Sequence, residues 1–202
     1  MEMRKQPLQK RSTEMVAALL EAAEREIGER GLANTTTNHI ARRAGASVGS
    51  LYQYFASKEA IIEALLQRQV SRITAVVQGQ LRVLIDQDLA TVTRTILTRV
   101  FDLVEQDKSQ RELVRNWHLL HTDAMFKALE QHMMDACRLY LLRHLEEYRI
   151  DNLPAQLFVL INAVHYSSVR YLSLEAPVLT RDEVIESLTH MVVAVCTSRA
   201  TV

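Results

Sequence analysis

The sequence predicts an all-α chain built from a small N-terminal helix-turn-helix module and a larger C-terminal helical bundle. Three observations carry that expectation. The 202 residues include only five Gly and three Pro, and long stretches are rich in Ala, Leu, Glu, Arg and Gln, the strong helix formers. Apolar residues recur at helical spacing along most of the chain. Two glycines, Gly31 and Gly45, together with Ser and Thr at capping positions, cut the first sixty or so positions into short helices. A length of 202 residues suits one small module and one larger domain, divided here into residues 1–58 and 59–202.

Residues 1–11 are expected as an arm carrying Arg4, Lys5, Lys10 and Arg11. A first helix follows, capped near Ser12 or Thr13, with Val16, Leu19, Leu20, Ala23 and Ile27 inward and Gly31 as its stop. Thr36 or Thr37 caps a second helix holding Ile40, Ala41 and Ala44, which Gly45 ends. Ser47 caps a third, where Leu51 and Phe55 fall at i, i+4 on the inner face. Ser57 caps a long fourth helix that keeps apolar spacing from Ile61 to about Ile85. Further helices are expected over about 88–105, from Ser109 to about Leu120, and from Thr122 to Tyr148. The last two run from an Asp151 or Asn152 cap to about Leu174, with Pro154 in the first turn, and from a Thr180 cap onward, with Asp182 and Glu183 suiting the dipole.

The second and third helices, joined by a few residues around one Gly, make a helix-turn-helix, whose second helix enters the DNA major groove by its N-terminal end. From Gly31 to Lys58 there is no Asp or Glu, while Arg42, Arg43 and Lys58 are basic. The exposed candidates near that end are Ser47, Val48, Gly49, Ser50, Tyr52, Gln53 and Tyr54. Gln53 is the best candidate for base readout, because its amide pairs bidentately with adenine, and Val48 suits a thymine methyl. Tyr52, Tyr54, Lys58, Thr36 and Thr37 are expected on phosphates, and Asn38 and Arg42 on either phosphates or bases. Gly49 lowers helix propensity by roughly 1 kcal/mol relative to Ala, so its presence calls for a reason such as close approach to the groove.

The spelling of this stretch is specific. Leu20–Gly31 (LEAAEREIGERG), Thr35–Thr37, Ile40-Ala41, Ala44-Gly45 and Gly49-Ser50-Leu51-Tyr52-x-Tyr54-Phe55-x-Ser57-Lys58-Glu59 resemble the N-terminal domain of the TetR family of bacterial transcriptional regulators. The resemblance covers about the first 60 residues and fades past Glu59. His39 and Ala46 depart from the pattern, which often has an acidic residue before the Ile-Ala pair and an apolar one after the turn Gly. The resemblance implies a homodimer, with the last two helices pairing with their symmetry mates. Leu160, Val164, Ser167, Ser168, Val169, Leu188, Met191, Val192 and Val195 are the residues expected there. A helix that is apolar almost all round, as this penultimate one is, must be covered on all sides, so it either sits in the centre of its domain or faces a second subunit.

Charge is unevenly divided. Residues 1–58 hold nine Lys/Arg against six Asp/Glu, net +3, and residues 59–202 hold fifteen against eighteen, net −3, giving zero for the chain. That split suits one face on DNA and the rest held away from it. No apolar run approaches the roughly 18 residues that span a bilayer, and the start MEMRKQPLQKRS lacks a signal-peptide core. Cytoplasm is the expected compartment, with Cys137 and Cys196 as reduced, buried thiols.

His118 and His121 with Asp123 and His132 make too weak a pattern for a metal site, and no cofactor is expected. There is no Gly-rich phosphate loop, nucleophile elbow or Ser-His-Asp arrangement, so no enzyme is expected. The resemblance instead implies a small-molecule effector site in the C-terminal domain. Trp117, Met125, Phe126, Met133, Tyr140, Phe158 and Tyr166 are the expected apolar walls, with His121, Asn162 and His165 as polar tips. The expectation is a repressor released from a palindromic operator by a small, largely apolar effector that shifts the Ile61–Ile85 helix. The alternative is an effector-free DNA-organising protein, or one controlled by a protein partner, that uses the same reader.

Overall fold

The structure, a computed structural model, describes residues 10–148, 150 and 152–197. Among these, nine α-helices and one 3-10 turn are present and there is no strand. The helices are α1 (Lys10–Arg30), α2 (Thr37–Arg43), α3 (Val48–Tyr54), α4 (Lys58–Leu84) and α5 (Leu89–Glu105). They continue as α6 (Lys108–Arg115), the 3-10 turn Trp117–Leu119, α7 (Asp123–Arg143), α8 (Leu153–Leu172) and α9 (Arg181–Thr197). The all-α expectation holds. Among the described residues no helix is long and apolar enough to cross a membrane.

Four of the described helix starts follow from the expected caps. Thr36 Oγ1 accepts from the His39 amide at 3.2 Å, Ser47 Oγ from Ser50 at 3.0 Å, and Ser57 Oγ from Ala60 at 3.3 Å. Thr180 and Glu183 form a reciprocal box at the start of α9: the Thr180 amide donates to Glu183 Oε2 at 2.7 Å, and the Glu183 amide to Thr180 Oγ1 at 3.3 Å.

Four boundaries differ from expectation. Lys10 already belongs to α1, so Ser12 and Thr13 are interior rather than capping; Arg4 and Lys5 lie outside the described residues. Helix α6 stops at Asn116, whose side-chain amide donates to the Glu112 carbonyl at 2.8 Å, and the chain tightens into the 3-10 turn instead of running to Leu120. Helix α7 stops at Arg143, where the His144 amide is shared between the Tyr140 and Leu141 carbonyls, both at 3.2 Å, and a turn follows. Asn152 precedes α8 in a left-handed conformation (φ 49°) with no side-chain cap, and Asp151 lies outside the described residues.

The described chain forms two compact units. The first comprises the residues up to Gln69 together with Glu105–Thr122; the second comprises Val70–Val104 and the residues from Asp123 on. In the first, α2 packs on α1, α3 on α2, and α6 on α1. Leu19, Ile27, Ile40, Leu51, Phe55, Ile61 and Leu65 are at most 2% exposed. Each such side chain contributes about 1.5–3 kcal/mol of burial. Gly28 sets the approach of α6 to α1, since a Cβ there would lie 3.2 Å from both Lys108 Cβ and the Ser109 nitrogen. Glu112 on α6 accepts from the Leu32 amide at 3.0 Å, which fixes the turn after α1.

In the second unit α8 packs between α7 and α9. Leu81, Leu89, Val92, Tyr140, Leu160 and Cys196 form one buried cluster, Leu97, Phe101, Ile185 and Leu188 another, and Leu141, Leu157 and Ile161 a third. Ion pairs brace α5 against α9: Arg94 with Glu186, and Arg181 with Asp102 at 2.6 Å. The C-terminal end of α7 holds the turn between α4 and α5. Tyr140 Oη donates to the Gln87 carbonyl at 2.8 Å, Arg143 bonds Asp86 at 2.8 Å, and His144 Nε2 lies 2.7 Å from the Ile85 carbonyl. That carbonyl is the main reason the His144 pKa is raised, with burial opposing it and Glu147 adding to it.

Candidate nucleic-acid interface and apolar cavity

The turn between α2 and α3 is built by backbone geometry. Gly45 adopts φ 67°, the Ala46 amide donates to the Ala41 carbonyl at 2.9 Å, and the Gly45 amide to Arg42 at 3.2 Å. This double closure is a Schellman motif and needs a residue tolerant of positive φ. It sets α3 with Leu51 and Phe55 fully buried and its other face outward. Ser47, Gly49, Tyr52 and Gln53 are exposed, and Val48, Ser50 and Tyr54 half-buried. Thr36, Asn38 and Arg42 are exposed on the α2 side. Thr37 Oγ1 meets Tyr52 Oη at 3.3 Å, so these two candidates form one hydroxyl pair across the two helices. The ring of Tyr52 stays 41% exposed.

Two of the three expected basic groups are already engaged. Arg43 pairs with Glu26 at 2.5 Å and with Glu29, welding α2 to α1. Glu26 is 3% exposed and also binds Arg30 at 2.6 Å. Burial pushes its carboxyl up, but the hydrogen bonds and charges of Arg43 and Arg30 outweigh it and hold the carboxyl below its ordinary range. The Lys58 ammonium donates to the Leu32 carbonyl at 2.5 Å, so the expected phosphate anchor is also a clasp on the α1–α2 turn. The arrangement therefore offers DNA chiefly neutral donors and acceptors, one exposed guanidinium (Arg42), and the amide-bearing starts of α2 and α3. Arg43 was readable from the sequence only as charge. Its partners Glu26 and Glu29, at i, i+3 on one face of the first helix, are the signal for its structural role.

The second unit contains a cavity of about 210 Å³. Its walls come from α4 (Ile73, Val77, Leu81), α5 (Val92, Thr93, Ile96), α7 (Met133, Ala136, Tyr140), α8 (Leu160, Val164, His165, Ser168) and α9 (Val192, Cys196), among others. Among the described residues, no Asp, Glu, Lys or Arg lines it. Of the ten expected ligand-site residues it takes Met133, Tyr140 and His165. Trp117 and His121 fall in the first unit, and Met125, Phe126, Phe158, Asn162 and Tyr166 are outside the lining. Phe126 lies behind the wall, edge-on to the His165 ring at 4.6 Å. Asn162 donates to Glu130 at 3.0 Å.

The faces of α8 are rotated from expectation. Phe158 and Tyr166, expected to line the cavity, are 53% and 58% exposed. Leu160, Val164 and Ser168, expected at a partner subunit, line the cavity instead. Val192 on α9 also lines it, while Leu188 is buried in the same unit and Met191 and Val195 pack against its core. Ser167 is exposed and Val169 half-buried. An all-apolar helix gives no sequence signal for which stripe faces inward, so the periodicity left both assignments open.

The cavity-lining thiols are free, and burial pushes Cys137 up to about 12, with Cys196 nearby adding to it, and Cys196 up to about 11. Burial also lowers the His165 imidazole to about 4, against a small opposing effect of Glu130.

Residues 19–65 match the family model of bacterial regulatory proteins of the tetR family. An uncharacterized HTH-type transcriptional regulator of Bacillus subtilis, YvdT, is 31% identical over 90 residues, 45% of each chain. The nucleoid occlusion factor SlmA of Glaesserella parasuis is 25% identical over 100 residues, 50% of this chain and 48% of its own. The chain thus spans about half the length of these curated relatives. Among solved structures, FadR of Thermus thermophilus, a TetR-family transcriptional repressor in complex with lauroyl-CoA, superposes with a TM-score of 0.66 at 22% identity. That match covers 92% of this chain and 97% of FadR.

Proposed function

We infer that this chain, a member of the tetR family of bacterial regulatory proteins through its N-terminal domain, is a homodimeric repressor released from a palindromic operator by a small, largely apolar effector. DNA-binding transcriptional regulation is the coarse activity the family supports. One observation carries the finer reading. Helix α4 begins in the reader unit, with Ile61 and Leu65 buried there, and its later turns supply Ile73, Val77 and Leu81 to the cavity wall. A ligand in the cavity would therefore touch the later turns of the helix whose first turns pack in the reader unit. A tilt of α4 by a few degrees would alter the separation of two reading heads, and a palindrome fixes that separation. The effector must prefer one separation, since equal affinity for both shifts nothing.

The acid-free stretch Gly31–Lys58 and the exposed α3 face support operator binding, with Gln53 on a base edge. The exposed α8 residues Phe158, Val159 and Tyr166 support a dimer better than the inward Leu160 and Val164 do. FadR was solved with lauroyl-CoA, but here no lining residue among those described could neutralise a nucleotide's phosphates, which favours a smaller, uncharged effector.

Selection of duplexes from a random pool by the full chain, with and without cavity ligands, tests this reading. A palindromic consensus is expected, together with loss of preference at one position per half-site in Gln53→Ala. That loss corresponds to about 1–3 kcal/mol. Recovery of no consensus would instead favour the DNA-organising alternative, which the SlmA-type relatives keep in view.

A further inference from the structure

We propose that the cavity takes a neutral molecule of about one substituted ring that carries a hydroxyl, and that His165 is the residue that reads that hydroxyl. This rests on the effector reading above and narrows it to a ligand class. Size sets the first limit. A dry apolar cavity of about 150 Å³ is enough to hold benzene, and this one is about 210 Å³. The added space suits a ring with a methyl and a hydroxyl group.

Charge sets the second limit. With no Lys or Arg among the described residues of the wall, a carboxylate or phosphate would be desolvated without a counter-ion, and with no Asp or Glu among them an ammonium would be too.

The polar groups that remain decide the rest. Tyr140 Oη spends its proton on the Gln87 carbonyl at 2.8 Å, and Ser168 Oγ donates to Val164 within its own helix at 2.7 Å, so each offers a ligand only acceptor lone pairs. The buried thiols stay protonated and bond weakly. His165 differs: among the described residues no protein group hydrogen-bonds its ring nitrogens, and its ring is fixed edge-on by Phe126 at 4.6 Å. A neutral imidazole presents one donor and one acceptor, which a hydroxyl matches in either tautomer. The remaining polar group, the Thr93 hydroxyl on α5, also lines the wall and serves as the control position.

Toluene, p-cresol and 4-methylbenzoate test this on the full chain by calorimetry and thermal shift. They share one ring and differ in the group that His165 would meet. Wild type is expected to bind p-cresol and toluene and to reject the benzoate. Because an unpaired hydroxyl in an apolar wall is costly, His165→Phe should weaken p-cresol by about tenfold relative to toluene. His165→Gln, which keeps a donor and an acceptor, should restore part of that ratio, and Thr93→Val should leave it unchanged.

An unaltered ratio in His165→Phe, a loss that follows Thr93→Val instead, or preferred binding of the benzoate would each overturn the assignment. So would failure of both toluene and p-cresol to bind. Operator release in the same samples separates the two readings. Cresol that binds through His165 and leaves the protein on DNA would keep this inference and remove effector release. Toluene that releases DNA with no hydroxyl preference would do the reverse.

Discussion

The reader unit and the cavity unit are made of the same helices and the same apolar side chains, yet they are finished differently. In the reader unit the engaged polar groups hold the fold: Glu26 holds Arg30 and Arg43, Lys58 clasps the Leu32 carbonyl, and Thr36, Ser47 and Ser57 cap their helices. Its core residues Leu51 and Phe55 have no exposed surface. In the second unit two ion pairs, Arg94–Glu186 and Arg181–Asp102, tie α5 to α9, while the centre is left hollow. A surface that reads DNA, as the reader unit's does, must hold its donors within fractions of an ångström, so it is over-determined. A site that admits a ligand has to leave packing undone, against the usual close packing of interiors.

The largest effect that sharpens this contrast comes from the reader core. Phe55→Ala is expected to remove about 3–5 kcal/mol of folding stability, because neighbours caged by α1 to α3 cannot collapse into the space. Urea denaturation measures it. A loss below about 2 kcal/mol would mean that the reader relaxes as readily as the cavity unit.

Acid separates the two units next. The cavity-facing His165 titrates near 4 in the folded chain and near 6.5 when unfolded. The unfolded chain therefore takes the proton first, and stability falls as pH drops from about 6.5 towards 4, by about 1.4 kcal/mol per pH unit at its steepest. His165→Phe should flatten that window. Glu26 in the reader works in a lower one. Its carboxyl is held below 4.5, so its contribution is present above that pH and is lost as pH falls through the depressed folded value. A His165→Phe profile identical to wild type between pH 6.5 and 4.5 would show that the imidazole is not buried as described.

The cavity can also be filled. Ala136 lines it from α7, and Ala136→Leu should add apolar burial without overpacking. Stability is expected to rise by about 1 kcal/mol while toluene binding is lost. In a closed core the same change would cost about 1–3 kcal/mol, so a destabilised variant would deny the void.

The same contrast explains what could be read in advance. The reader was legible because its geometry is written in residue types: a capping Thr or Ser, a Gly at φ 67°, and an i, i+4 pair in Leu51 and Phe55. Helix α8 was not, because Phe158, Leu160, Val164 and Tyr166 are all apolar and only tertiary packing decides which of them faces inward. The hollow left a fainter trace. Ala136, Cys137, Ser168 and Cys196 are small residues within apolar stripes, and their missing volume is where the cavity lies. Arg43 was legible only as a charge, since its structural role depends on the carboxylates Glu26 and Glu29 of α1, which tertiary packing brings to it.

The smallest effect bears on why the reader tolerates a poor helix former. Gly49 lies inside α3 at ordinary helical geometry, and a Cβ there would meet nothing in the chain closer than Ser47 Oγ at 3.8 Å. Nothing in the fold therefore requires glycine at this position, although glycine lowers helix stability by about 0.5–1 kcal/mol relative to alanine. A phosphate or base edge approaching the start of α3 is the physical candidate for what a side chain at this position would obstruct. Gly49→Ala should then raise the melting temperature slightly and weaken operator binding at the same time. The two changes have opposite signs, which a purely structural role would not produce. A variant both more stable and equally tight on DNA would place the DNA contact elsewhere on α3 and leave Gln53 as its principal reader.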